Sequence, residues 1–317
     1  MEIRTGFAIS GAISGAKSGA APGLSEGDLK LYYEDMGDVG DPPVLLIMGL
    51  GAQLLLWRTA FCEKLVGRGL RVIRYDNRDV GLSSKTEPPN PSGPVVPRMV
   101  RFWLGRRSEA PYKLEDMADD AAALLDHLGI ERAHIVGASM GGMIAQVFAA
   151  RFAERTKTLA VIFSSNNRPF MPPPAPRALL TVVKGPPPGS PREVIVDNVV
   201  RVTKITGSRR YRMTEEQVRA DAAESYDRSY YPSGVARQFG AVLASGSLLA
   251  YNRQTVAPTV VIHGRADKLA RPSGGRAVAR AINGARLVLF DGMGHDLPQQ
   301  LWDRLISVLT SNFAEAG

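Results

Sequence analysis

Residues 134–146 read HIVGASMGGMIAQ, and no other segment restricts the fold as tightly. An apolar run reaches Gly137, Ser139 follows, and Gly141 and Gly142 open a pattern with helical spacing. Glycine is destabilising inside regular structure, so three of them around one serine require a cause. A strand that turns directly into a helix supplies one. At such a turn the apical residue is strained, and the residues two positions away must lack bulk. The competing reading is a glycine-rich turn carrying an idle serine.

The flanking sequence provides the setting for this turn. Residues 29–37 alternate like a half-buried antiparallel strand, and short apolar runs at 43–49, 70–76, 133–139, 158–165, 257–264 and 285–292 read as buried strands. Helical spacing occupies 54–69, 113–130, 143–155, 274–282 and 301–316. Strands alternating with helices predict an α/β fold, a mostly parallel sheet covered on both faces. Residues 166–256 interrupt the rhythm with MPPPAPRALL and KGPPPGSPRE and then turn helical and polar. That is too long for a plain loop. The chain therefore divides into a core over 1–165, a helical insertion over 166–256 above the end of the sheet, and a second core part over 257–317.

A serine hydroxyl needs a base, and the base needs an orienting carboxylate. Of the four histidines, His127 lies on an amphipathic helix and is expected to be solvated. His134 begins the strand of Ser139, at the far end of the sheet. His263 ends a strand and stands as either a cleft-wall or a structural residue. His295 lies in GMGHDLP after the last strand, where a loop can reach back to Ser139, and is the expected base. The strand at 158–165 is followed by NNRPF, with no acid, whereas 257–264 is followed by RADKLARP, which makes Asp267 the expected partner. Asp291 and Asp296 flank His295 too closely and are read as loop-fixing residues. An oxyanion hole needs two backbone N–H groups. Met140, after the serine, and Leu50, between Gly49 and Gly51, are the expected donors.

Composition narrows the alternatives. A single cysteine, Cys62, excludes an intramolecular disulfide and argues against a cysteine-based metal site. The N-terminal 23 residues are Gly/Ala/Ser-rich, lack the apolar core of a signal peptide and read partly as a surface loop; with no apolar span, a cytoplasmic location is the expectation. There are 39 Lys and Arg against 31 Asp and Glu, a formal net charge of +8, which weakly favours anionic partners. No nucleic-acid-binding motif is present. The densest basic run, RMVRFWLGRR at 98–107, reads either as a solvated helix whose aromatics pack inward or as a helix touching a membrane or an acidic ligand.

LLIMGLGAQ, VIRYDNRDVGLSS, VGASMGGMIAQ, VIHGRADKLARP and GMGHDLP together, in this order, resemble the α/β-hydrolase superfamily. The similarity is greatest to bacterial carboxylesterases and lipases and to the aclacinomycin methylesterase branch, and it covers about residues 28–165 and 255–313. The resemblance implies an eight-stranded sheet, a cap domain at 166–256 and a metal-free serine hydrolase with the triad Ser139, Asp267 and His295. Many relatives carry histidine where this chain has Met48, which removes a polar support from the oxyanion loop without touching its backbone donor. A small-molecule or lipid ester is the expected substrate, with thioesters, phospholipids or cofactor-free perhydrolysis as alternatives on the same triad. Dehalogenases and epoxide hydrolases use an aspartate nucleophile, which Ser139 argues against. A catalytically silent ligand-binding scaffold is the reading from another class.

Overall fold

The computed structural model describes residues 2–11, 28–87, 93–183, 185–187 and 189–316. Eight strands form one sheet: β1 (Ile3–Ser10), β2 (Leu29–Met36), β3 (Pro43–Ile47), β4 (Arg71–Tyr75), β5 (Ala133–Ala138), β6 (Thr156–Ile162), β7 (Thr259–Gly264) and β8 (Arg286–Phe290). Their order is β1-β2-β4-β3-β5-β6-β7-β8. β2 pairs antiparallel with β1 and β4; all other pairs are parallel. The central strands are apolar on both faces because both are covered. Leu45, Ile47, Ile135 and Val261 point into a core closed by α3 (Leu114–His127), α4 (Met140–Arg151) and α10 (Pro272–Ala281). Val44, Leu46, Val136 and Val260 point into the opposite core, closed by α1 (Thr59–Val66) and α11 (Trp302–Phe313).

Three local expectations change. The N-terminus contributes strand β1, paired with β2 from Ile3 opposite Met36 to Ser10 opposite Leu29; Ala8 and Ser10 turn inward while Phe7 and Ile9 stay exposed. The adjoining Gly/Ala/Ser-rich residues 12–27 lie outside the described residues. The helix expected over 54–69 splits into a 3₁₀ turn at Leu54–Leu56 and α1. Its start is delayed because the Arg74 guanidinium takes the Trp57 carbonyl and Asp76 accepts the Leu54 N–H at 2.8 Å. The third concerns the basic segment, left open between two readings: its helix α2 (Val95–Trp103) splits its aromatics, Phe102 turned toward the protein and Trp103 outward. Arg98 is buried, Phe102 half-buried and Trp103 exposed.

Between β6 and β7 the chain forms α5 (Pro176–Val183), α6 (Arg192–Thr206), α7 (Glu215–Arg228), α8 (Pro232–Ser245) and α9 (Leu249–Gln254). This insertion is fastened to the buried loop after β4. Arg228 donates to Asp76 at 2.7 Å. Arg237 donates to Asp79 at 3.0 and 3.2 Å, where Tyr112 and Thr86 also donate. Gln238 donates to Arg78 O at 2.7 Å. No helix among the described residues is long and apolar enough to cross a membrane.

Candidate active site

Ser139 sits where β5 passes into α4, with φ 57° and ψ −120°. A non-glycine residue held there costs about 1–3 kcal/mol, which surrounding contacts must offset. Its N–H still donates to Ile162 O at 2.9 Å, as if the strand continued, and its carbonyl accepts Ser164 Oγ at 2.6 Å. The flanking glycines are steric necessities. A Cβ at Gly137 would stand 2.2 Å from Gly141 O, and one at Gly141 would stand 2.1 Å from Ile47 O. Both obstacles are backbone, which has no rotamer to yield.

His295 reaches this serine from the loop after β8. Its Nε2 lies 2.9 Å from Ser139 Oγ and its Nδ1 2.8 Å from Asp267 Oδ2. Asp267, in the loop after β7, has its other oxygen, Oδ1, held by the N–H groups of Leu269 and Ala270 at 2.8 and 3.0 Å. Burial pushes this carboxyl up. The field of His295, its hydrogen bond and the nearby His263 ring outweigh burial, and Asp267 is held below its ordinary range. The structure thus brings together the three side chains singled out in the sequence.

His263, left open between two readings, is fully buried beneath the site. Its Nε2 donates to Ala270 O at 2.7 Å and lies 3.5 Å from Asp267 Oδ2, so it braces the loop that carries the carboxylate. His127 is exposed beside Tyr33 OH at 3.3 Å, and His134 is buried against Phe313 and bonded to Thr158 Oγ1 at 2.9 Å. Asp291 pairs with exposed Arg265 at 2.7 Å.

The loop after β3 lies against the serine: a Cβ at Gly49 would stand 2.9 Å from Ser139 Cβ. Two contacts hold this loop. Asn77 Nδ2 donates to Met48 O at 2.9 Å, and the Gly51 N–H donates to Gln238 Oε1 at 2.8 Å. With Gly51 committed to Gln238, the backbone N–H groups of Leu50 and Met140 have no hydrogen-bond acceptor among the described residues. Among the described residues no cluster of three His, Cys, Asp or Glu is arranged to hold a metal ion.

The insertion also grips the loop of His295. Thr206 O accepts the His295 N–H at 2.9 Å, and Ser208 Oγ accepts the Gly294 N–H at 2.8 Å. Ser208 donates to Asp296 through both its N–H, at 2.9 Å, and its hydroxyl. Burial raises the Asp296 carboxyl above its ordinary range, and the hydrogen bonds from Ser208 offset only part of that effect. Ser164, Ser208 and Gln238 are contacts that sequence reasoning misses. Each lies outside the five recognisable segments, and only the fold gives it a partner.

Residues 42–298 match the alpha/beta hydrolase fold family. The chain belongs to that family. This hydrolase is 28% identical to rhodomycin D methylesterase of Streptomyces peucetius, over 91% of this chain and 96% of that protein. It is 29% identical to a 2-hydroxy-6-oxononadienedioate/2-hydroxy-6-oxononatrienedioate hydrolase of Paraburkholderia xenovorans, over 85% and 86% of the two chains. Among solved structures it is similar to the meta-cleavage product hydrolase from Pseudomonas fluorescens IP01, with a TM-score of 0.71 at 23% identity, over 91% and 96% of the chains. The sheet order and strand directions described above are therefore those of the alpha/beta hydrolase fold, and the relatives named are methylesterases and other hydrolases.

Proposed function

We propose that this hydrolase cleaves carboxylic esters by two-step acyl transfer through Ser139. His295 removes the hydroxyl proton as Oγ attacks the ester carbonyl, and the backbone N–H groups of Leu50 and Met140 receive the oxyanion. His295 then protonates the departing alcohol. A water activated by the same imidazole releases the acid and restores the serine. Asp267 keeps the Nδ1 proton in place, so that Nε2 remains the acceptor facing Oγ. In comparable sites one oxyanion donor is worth about 10²–10³ in kcat. No step uses a metal or cofactor. Residues 166–256 act as the cap that shapes the acyl and alcohol pockets.

The observation that carries this reading is the unbroken path from Ser139 Oγ through His295 to Asp267, at 2.9 and 2.8 Å. It ends on a carboxylate held below its ordinary range. The full-length similarity to a methylesterase makes methyl esters the first natural substrate class to assay. Ser139→Ala should lower hydrolysis of p-nitrophenyl and methyl esters by about 10⁴-fold or more. It should also abolish covalent labelling by a fluorophosphonate. Unchanged turnover in that variant overturns the proposal.

A further inference from the structure

α2 is turned inside out for a surface helix. Val96, Val100, Trp103 and Leu104 fall within an arc of about 100°, and they are 51, 51, 44 and 52% exposed. The opposite arc, formed by Val95, Arg98, Met99 and Phe102, faces the protein. Arg98 is buried there with Nη2 unpaired, against the ordinary preference for keeping arginine in water. Phe170, 64% exposed, extends the outward stripe. Its ring stands edge-on to Trp103 with centroids 5.3 Å apart, and Trp103 Nε1 donates to Met171 O at 3.1 Å. These contacts hold both rings at the surface. A continuous apolar stripe of this kind marks an interaction site.

The charges beside the stripe select the partner. Arg101, Arg106, Arg107 and Arg168 are all exposed, and residues 93–107 contain no acidic side chain. Aromatic and aliphatic groups flanked by arginine fit the boundary between acyl chains and anionic headgroups. The stripe also lies at a telling place. α2 follows the C-terminal end of β4 and Phe170 follows that of β6, while Ser139 follows that of β5, between them in a parallel part of the sheet.

We propose that α2 and Phe170 form a docking surface for an anionic lipid bilayer. Trp103, Leu104 and Phe170 enter the headgroup–acyl boundary, and Arg101 and Arg106 meet the phosphates. Docking then sets the Ser139 end of the sheet on the membrane side of the molecule.

The full chain should co-sediment with vesicles of phosphatidylcholine mixed with phosphatidylglycerol, and only weakly with phosphatidylcholine alone. Raised salt should loosen it. Of the three tryptophans, Trp57 and Trp302 are buried, so emission from Trp103 should shift to the blue and be quenched by brominated acyl chains. Arg101→Ser should weaken vesicle affinity by about fivefold, and Arg101→Ser with Arg106→Ser by about 25-fold. Leu104→Ser with Phe170→Ser should remove binding while turnover of a soluble ester stays as in wild type. Ser139→Ala should bind vesicles as wild type does, which keeps this inference separate from the catalytic proposal. Absence of binding, equal binding to neutral vesicles, or binding without quenching of Trp103 overturns it. So does a solution dimer that Leu104→Ser dissociates, since that would assign the stripe to a second copy of the chain.

Discussion

Asp267→Asn changes one atom and should disable the site by reversing a hydrogen bond. In the wild type, Oδ1 accepts from two backbone N–H groups, of Leu269 at 2.8 Å and Ala270 at 3.0 Å. An asparagine must keep its carbonyl oxygen there, because an NH₂ group would face two donors. The NH₂ group then points at His295 Nδ1, in place of the oxygen that accepts from it at 2.8 Å. His263 Nε2, 3.5 Å away, remains committed to Ala270 O. A donor opposite Nδ1 moves the imidazole proton to Nε2, and Nε2 then meets Ser139 Oγ as a donor across 2.9 Å. The base faces its substrate proton already occupied. A wrong tautomer of this kind lowers kcat by about 10⁴, equivalent to about 5.4 kcal/mol of barrier. KM should change little, since no group that binds substrate has moved. The assay is steady-state hydrolysis of a p-nitrophenyl ester, with near-UV circular dichroism and a thermal melt to show an intact fold. A folded variant with kcat within about tenfold of wild type would refute the reasoning.

Two further outcomes follow from buried groups away from the serine. Burial, with a contribution from Lys157, pushes His134 down to about 4. Its unfolded value is near 6.5, so the unfolded chain binds the extra proton first. Stability is full above pH 6.5 and falls as the pH drops toward 4. His134→Gln should flatten that limb by about 2–3 kcal/mol between pH 7 and pH 4.5 in urea unfolding, and parallel curves would remove His134 as the cause. Arg237→Met leaves Asp79 buried without its guanidinium partner and should cost about 3–5 kcal/mol, whereas Arg237→Met with Asp79→Asn should recover much of it. Equal losses in the single and double variants would show that the ion pair does not fasten the insertion to the core.

What was legible in the sequence was local. The run through Ile135, the glycines at 137 and 141 and the histidine after the last strand each constrain their own backbone. Their convergence then follows from a parallel sheet with loops at one end. Strand β1 escaped because a strand at the sheet edge needs only a partner, and Thr5, Gly6 and Ala8 give little apolar signal of their own. The braces Gln238, Ser164 and Ser208 escaped for a different reason. A polar side chain declares its partner only once the chain has folded around it. α2 shows a third kind of gap. RMVRFWLGRR by itself leaves open whether its aromatics pack inward or face outward, and only the folded chain divides them, with Arg98 buried, Phe102 half-buried and Trp103 exposed.

The stitching of residues 206–208 to Gly294, His295 and Asp296 couples the helices between β6 and β7 to the loop of His295. Lifting the roof at that seam breaks the carbonyl contact that fixes the backbone of the imidazole-bearing residue. Any displacement of residues 206–208 is therefore transmitted to the backbone that carries the imidazole, so the position of the helices between β6 and β7 and the aim of His295 are set by the same few hydrogen bonds.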